Sequence, residues 1–241
     1  MKSTFRTLLL ALALSSLFLS TALAENTAIV PAPRDANWLK RHEGFAAQAK
    51  QGGVDILFLG DSITDGWRTK GRVVWDRYYA PRRAANFGIG GDRTQHVLWR
   101  LHNLETEGIN PKVVVLLIGV NNVPMEKDGK ERNTVSEIVA GVGAVVEEIH
   151  LCLPKSKILL LGIFPYKQAG DPMRLKVDQI NMGIARLGRK KYVTFRNINR
   201  MFLASDGTLS KEIMPDLLHP NEKGYQIWAE AMEPTLVKLL K

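Results

Sequence analysis

Cysteine is almost absent from this chain of 241 residues, whose only cysteine is Cys152. One cysteine excludes an internal disulfide. Cys152 comes at the end of an apolar helical segment, so we expect a buried and unreactive thiol there. The fold must therefore be held by its core alone, and apolar residues make up 45% of the sequence.

Long hydrophobic runs are also scarce, and the one exception is at the start. Residues 7–19 are almost entirely apolar, Lys2 and Arg6 precede them, and Ala22-Leu23-Ala24 has the small-x-small pattern of a signal peptidase site. We predict a signal peptide over residues 1–24, a mature chain beginning near Glu25, and a periplasmic or extracellular location. An uncleaved membrane anchor is the alternative, although an apolar stretch of about 13 residues is short for spanning a bilayer.

Acidic residues are outnumbered, 24 against 33 Lys and Arg, which gives a formal net charge of +9. Removing Lys2 and Arg6 leaves about +7 on the mature chain. This surplus favours peripheral contact with anionic surfaces, whereas nucleic acid is not an expected partner because the basic residues are scattered. The densest basic cluster lies between Arg68 and Arg83, and a solvated face is its favoured interpretation.

Predicted strands and helices alternate along the mature chain. Apolar segments bounded by turn residues predict five strands, at 54–60, 84–87, 112–118, 157–163 and 192–197. Helical patterns cover 35–50, 94–103, 134–151, 172–187 and 221–240. The alternation predicts one α/β domain over residues 25–241, a doubly wound, flavodoxin-like three-layer fold with a central five-stranded parallel sheet.

Candidate catalytic residues follow the strands, where the loops of such a sheet meet at one edge. Acyl transfer needs a nucleophile, a base, a group that orients the base, and donors for the oxyanion. Ser62 follows the first strand, and Asp216 and His219 stand three residues apart before the last helix. The backbone amides of Ser62 and Gly91 with the side-chain amide of Asn121 are the candidate donors. Taken singly, each element is more typical of a helix cap or a turn, but together they favour chemistry.

Four segments of the chain resemble, in this order, the blocks of the SGNH hydrolases, also called the GDSL esterase and lipase family. They contain Ser62, Gly91, Asn121 and the pair Asp216 and His219. The resemblance covers roughly residues 54–240, and the run 86–101 is similar to the catalytic subunits of platelet-activating-factor acetylhydrolase and their bacterial relatives. It implies Ser62 as nucleophile, Asp216 and His219 as its partners, and Gly91 and Asn121 completing the oxyanion hole. The chain departs from the wider pattern by having Ile63 instead of Leu and Asn122 instead of Asp.

Other chemically interesting residues have plainer interpretations. The remaining histidines have no metal-ligand spacing to a second His or Cys, and packing or surface roles are favoured; they are His42, His96, His102 and His150. Four aromatic residues after the nucleophile either wall a substrate pocket or bury a helix; they are Trp67, Trp75, Tyr78 and Tyr79. Asp61, Asp92 and Arg93 are candidates for holding the loops in place.

The sequence as a whole predicts an exported serine esterase that removes short acyl groups, chiefly acetyl, through an acyl-enzyme. The expected substrates are small-molecule or glycan esters such as acetylated carbohydrates, with phospholipid or lysophospholipid esters as the alternative. We expect neither a metal nor an organic cofactor to be required. A non-catalytic glycan-binding domain on the same sheet is the competing class; a phosphate cradle is disfavoured because Asp61 and Asp65 flank Ser62. The oligomeric state stays open, a homodimer included.

Overall fold

The sheet has five strands, all parallel. The computed structural model describes residues 25–241, and the predicted signal peptide lies outside them. The strands are β1 (Ile56–Gly60), β2 (Ala84–Gly88), β3 (Val113–Leu117), β4 (Lys157–Leu161) and β5 (Val193–Arg196). Their order is β2-β1-β3-β4-β5. The predicted central sheet is confirmed, and each strand lies within its predicted segment or one residue beyond it.

In the described part of the chain, seven α-helices connect the strands or flank them. They are α1 (Ala36–Lys50), α2 (Ser62–Asp65), α3 (Arg72–Tyr78), α4 (Thr94–His102), α5 (Val135–Cys152), α6 (Pro172–Ile184) and α7 (Glu222–Leu240). The predicted helix 172–187 differs most, because α6 ends at Ile184 and continues as a 3-10 helix, Ala185–Arg189. Within residues 25–241, no helix has both the length and the apolar character that crossing a membrane requires.

The middle of the sheet is covered on both faces. Every residue of β1 and β3 is buried, which explains why both strands are apolar throughout instead of alternating. After β1 the chain forms β2 on one side, and then crosses to form β3 on the other side. The carboxyl ends of β1 and β3 therefore border a topological switch point, the place where open α/β sheets bind ligands. Ser62 follows β1 at this point.

Aromatic side chains pack α3 and α7 against the sheet. The rings of Trp67 and Trp228 lie 4.9 Å apart, and Trp67 also lies 4.5 Å from Tyr225. Phe58 of β1 contacts the same group, and Tyr79 is fully buried in it. Of the two interpretations of these aromatics, burying a helix is the correct one for Trp67 and Tyr79.

Cys152 is exposed, so the expectation of a buried thiol was wrong. The buried face of α5 ends at Ile149, and the last turn of the helix faces solvent, with Leu151 72% exposed. Desolvation of the thiol and the neighbouring carboxylate of Glu148 raise the pKa of Cys152 to about 11. The thiol therefore stays protonated at neutral pH, which keeps it a poor nucleophile.

The segment that follows residue 24 is part of the domain. Ala28 is fully buried, and its carbonyl accepts a hydrogen bond from Oγ1 of Thr94 at 2.7 Å. Asn133 Nδ2 donates to Oγ1 of Thr27 at 2.9 Å, and Ala32 N donates to the carbonyl of Gln95. These contacts tie the chain before α1 to the start of α4 and the start of α5.

Candidate active site

The structure brings together the three side chains that the sequence predicts as a triad. Ser62 Oγ and His219 Nε2 are 2.9 Å apart, although 157 positions separate them in the sequence. His219 Nδ1 lies 2.6 Å from Oδ2 of Asp216. Both distances are those of hydrogen bonds. The serine, the imidazole and the carboxylate thus form one continuous chain of hydrogen bonds at the carboxyl edge of the sheet.

Ser62 is the first residue of α2, a single helical turn that starts directly after β1. Asp61 caps this turn, because its Oδ1 accepts from Ile63 N at 2.9 Å. Tyr225 of α7 donates its hydroxyl to the carbonyl of Ile63 at 2.7 Å. Gly88 at the end of β2 permits the close approach, since a Cβ there would lie 2.3 Å from the backbone nitrogen of Asp65. The turn that carries the nucleophile is therefore held from three sides.

Asp61 is a buried carboxyl next to that nucleophile. Burial raises the pKa of Asp61 to about 7, against the hydrogen bond from Ile63, and the charge of Asp92 adds to the effect. Its Oδ2 has no hydrogen-bond partner among residues 25–241. The carboxyl is therefore largely protonated below neutral pH.

Asp216 and His219 occupy a turn that comes before α7. Oδ1 of Asp216 accepts from the backbone nitrogens of Leu218 and His219, at 3.1 and 2.7 Å, which leaves Oδ2 for the imidazole. Burial alone would raise the pKa of Asp216, but its hydrogen bonds to His219 and Leu218 outweigh burial and hold the pKa below its usual value. The carboxylate is thus ionised at neutral pH and can fix the ring orientation of His219.

The three predicted oxyanion donors lie around the same edge. The backbone N–H of Ser62 is the first of α2 and, like that of Gly91, has no acceptor among residues 25–241. A Cβ built on Gly90 would lie 3.8 Å from Cβ of Ser62, so the loop after β2 runs close to the nucleophile. Asn121 Nδ2 donates to the carbonyl of Asp92 at 2.9 Å and keeps a second N–H.

Asp92 holds the glycine-rich loop in place. Its carboxylate is buried and accepts from Trp38 Nε1 at 2.6 Å, from Arg100 at 2.7 Å and from Arg34 at 3.1 Å. Arg34 also donates to the carbonyl of Gly90 at 2.7 Å. Of these residues the sequence singled out only Asp92. The available signal was Arg100, which stands three residues after Val97 on the buried face of α4, where an arginine needs a partner.

Asn122, one of the two departures from the family pattern, has a structural role. Its Oδ1 accepts from Thr94 N at 3.1 Å and so caps the start of α4. Its Nδ2 donates at 3.0 Å to both Gln95 Oε1 and Asn133 Oδ1. A carboxylate cannot donate, so asparagine suits this position and aspartate does not.

The other histidines do not converge on the site. His42 Nδ1 lies 2.9 Å from Glu105 Oε2, His102 pairs with Glu148, and His150 stacks on Tyr192. Burial, with positive charge from nearby arginines, lowers the pKa of His96 to about 3, so this ring is neutral. Within residues 25–241 no three His, Cys, Asp or Glu side chains come close enough to hold a metal ion.

Comparison with known proteins agrees with this geometry. The model of the GDSL-like lipase/acylhydrolase family matches residues 58–227. The platelet-activating factor acetylhydrolase IB subunit alpha1 of Rattus norvegicus is 35% identical over 222 residues, which cover 90% of this chain and 91% of that protein. A GDSL-like lipase of Bacteroides thetaiotaomicron has a similar fold, with a TM-score of 0.65 at 18% identity over 83% of this chain and 97% of that one. An acetylxylan esterase of Geobacillus stearothermophilus also has a similar fold, with a TM-score of 0.60 at 24% identity over 78% of this chain and 94% of that one.

Proposed function

Since this chain belongs to the GDSL-like lipase/acylhydrolase family and is a carboxylic ester hydrolase, we propose a specific reaction for it. It transfers short acyl groups, chiefly acetyl, from an alcohol to water through an acyl-enzyme on Ser62. The observation that carries this proposal is the hydrogen-bonded chain from Ser62 Oγ through His219 to Asp216, with distances of 2.9 and 2.6 Å. No other serine among residues 25–241 is hydrogen-bonded to a histidine.

In the proposed reaction, His219 Nε2 takes the proton of Ser62 as Oγ attacks the ester carbonyl. Asp216 keeps Nδ1 of the ring protonated and stabilises the imidazolium that forms. The amides of Ser62 and Gly91 and the side chain of Asn121 stabilise the oxyanion. His219 then protonates the leaving alcohol, and water activated by the same ring attacks the acyl-enzyme and releases the acid.

The preference for a short acyl group is supported by the cavity at Ser62. It measures about 460 Å³ and is lined by Arg41, Phe45, Ser62, Asp65, Gly66, Arg68 and Thr69. A long acyl chain needs an extended apolar wall to leave water, and Phe45 is the only large apolar side chain in this lining. An acetyl group needs no such wall.

We further propose that the protein is exported after cleavage behind Ala24 and acts on acetylated carbohydrates. The amino-terminal pattern supports export, and the acetylxylan esterase shares the fold. A phospholipid ester is the second candidate, because the similarity to the acetylhydrolase subunit, at 35% identity, covers 90% of the chain. Mass spectrometry of the exported protein tests the proposed cleavage behind Ala24. A product beginning at Glu25 is expected, and one that retains residues 1–24 would contradict the cleavage.

Hydrolysis of p-nitrophenyl acetate tests the mechanism. Ser62→Ala and His219→Ala should each lower kcat at least about a thousandfold, since the nucleophile and its base act as one unit. Ser136→Ala, on the exposed face of α5, is the control and should keep wild-type turnover. A Ser62→Ala enzyme as active as the wild type would disprove the proposed nucleophile.

Acyl length is tested with butyryl and octanoyl esters of the same phenol. We expect kcat/KM to fall steeply from acetyl to octanoyl, because Phe45 is the only large apolar side chain in the cavity wall. Equal or better turnover of the octanoyl ester would contradict the short-acyl proposal while leaving the triad intact.

A further inference from the structure

Two arginines stand in the wall of the cavity that opens at Ser62. Arg41 comes from α1, and Arg68 follows α2. Their side chains remain 38% and 36% exposed, whereas the carboxylate between them, Asp65, is 24% exposed. Both arginines therefore line the space that a substrate bound at Ser62 would enter, and Arg68 also lines a second cavity.

The protein uses only part of the hydrogen-bonding capacity of these arginines. Arg41 donates twice to Asp65 and once to the carbonyl of Gly88. Arg68 donates to Asp65 and to the carbonyls of Gly88 and Asn86. Two guanidinium groups carry ten N–H donors, so about four have no acceptor among residues 25–241.

The charge of the cluster is positive. Burial would raise the pKa of Asp65, but hydrogen bonds and charges from Arg41 and Arg68 outweigh it and hold the pKa below its usual value. One ionised carboxylate between two guanidinium groups leaves a net charge of about +1. The carboxylate of Asp65, which by itself would repel an anion, is thus more than compensated.

We propose that Arg41 and Arg68 form a subsite for an anionic group, a carboxylate or a phosphate, carried by the alcohol part of the ester. Arginine matches both groups, because its planar fork donates two parallel hydrogen bonds. The anion belongs to the alcohol part, since a short acyl group such as acetyl has no room for one. This inference rests on the proposed esterase function and narrows its substrates to esters of acidic sugars or of phosphorylated alcohols.

The test compares kcat/KM for matched acetyl esters that differ in one anionic group. One pair is acetylated methyl glucuronoside and acetylated methyl glucoside; the other is acetylglycerol phosphate and acetylglycerol. We expect the wild type to prefer the anionic member, and Arg41→Gln to lower the ratio of anionic to neutral kcat/KM about tenfold, as for loss of charged hydrogen bonds. Lysine keeps the charge but lacks the planar fork of arginine, so the ratio for Arg41→Lys should lie between the ratios for the wild type and Arg41→Gln.

Arg77→Gln is the matched control. Arg77 is exposed on α3 and lines a different cavity, so the same loss of charge should leave the ratio unchanged. A ratio that falls for the glucuronoside pair alone assigns the subsite to carboxylates, and one that falls for the glycerol pair alone assigns it to phosphates. A wild-type ratio near one, or a ratio that Arg41→Gln leaves unaltered, would overturn the proposal.

A binding measurement separates this proposal from the esterase mechanism. In the Ser62→Ala protein, methyl glucuronoside and inorganic phosphate are titrated calorimetrically without any turnover. At least one probe should bind, and Arg41→Gln in the same background should weaken it about tenfold. If neither probe binds, the subsite is refuted even when p-nitrophenyl acetate is hydrolysed. If a probe binds but no ester is cleaved, the mechanism fails while the subsite stands.

Discussion

Asp61 caps the turn that carries Ser62 and also makes the stability of the fold depend on pH. Its pKa is about 7 in the folded protein against a usual value of 3.8, because burial penalises the charged form. A group whose folded pKa is raised contributes stability that is fully present below its unfolded pKa. That contribution is lost as pH rises toward the folded pKa. For Asp61 the loss falls between about pH 4 and pH 7.

Asp61→Asn should remove this pH dependence. Asparagine keeps an oxygen to cap Ile63 but cannot ionise, so the variant should gain stability relative to the wild type as pH rises from 5 to 7. The expected gain is on the order of 1 kcal/mol per pH unit, measured as the free energy of unfolding in urea. Asp206→Asn is the control, since Asp206 caps Thr208 in the same way at 2.9 Å but is exposed. A difference between Asp61→Asn and wild type that stays constant over this range would contradict the account.

Helix α7 contributes to the active site through Tyr225. Burial raises the pKa of its phenol above the ordinary value, so the hydroxyl stays protonated and donates to the carbonyl of Ile63. The contact joins the last helix of the chain to the turn that carries Ser62. It was not predictable from the helical pattern of residues 221–240, which says only that a helix forms there.

Tyr225→Phe should therefore lower both stability and turnover. Loss of the hydroxyl leaves the buried carbonyl of Ile63 without this donor, which costs about 1–3 kcal/mol of unfolding free energy. Because Ser62 is next to Ile63, kcat for p-nitrophenyl acetate should fall while KM changes little. Tyr192→Phe is the control, since its hydroxyl bonds to Glu147 at the surface. Unchanged stability and kcat in Tyr225→Phe would show that α7 only packs against this turn.

At the scale of the whole molecule, the segment before α1, residues 25–34, joins two helices and the loop beside Ser62. Thr27 and Ala28 bind the starts of α5 and α4, and Arg34 donates to the carbonyl of Gly90 in the loop beside Ser62. This segment lies directly after the predicted cleavage point, so processing behind Ala24 would leave it whole. Removing it would withdraw contacts from two helices and from the glycine-rich loop together.

A chain that begins at Asp35 should accordingly melt at a lower temperature than one that begins at Glu25, and should lose most of its esterase activity. Differential scanning calorimetry and p-nitrophenyl acetate hydrolysis measure the two effects. Deleting the exposed Lys241 from the other end is the control and should change neither. Equal melting temperatures for the chains that begin at Glu25 and Asp35 would refute a structural role for residues 25–34.

The order of the five strands and of five helices, the parallel sheet and the positions of Ser62, Asp216 and His219 were predictable from the sequence, whereas the short helices α2 and α3 were not predicted. Each depends on patterns within a short stretch of chain: continuous apolar strands, helix caps, and motifs that follow strand ends. The exposure of Cys152 was predicted wrongly for a related reason. An apolar context describes the helix as a whole, but it does not show which side its last turn faces.

Only the tertiary structure decided how the site is supported and what surrounds it. Arg34 and Trp38 reach Asp92 across more than fifty positions of the chain and meet Arg100 there. Arg41 reaches Asp65 across 24 positions and meets Arg68 there. A buried carboxylate binds whichever partners packing brings within about 3 Å, and that depends on the directions of side chains from several elements at once. Local patterns determine which elements form, whereas long-range packing determines which charges meet beside Ser62.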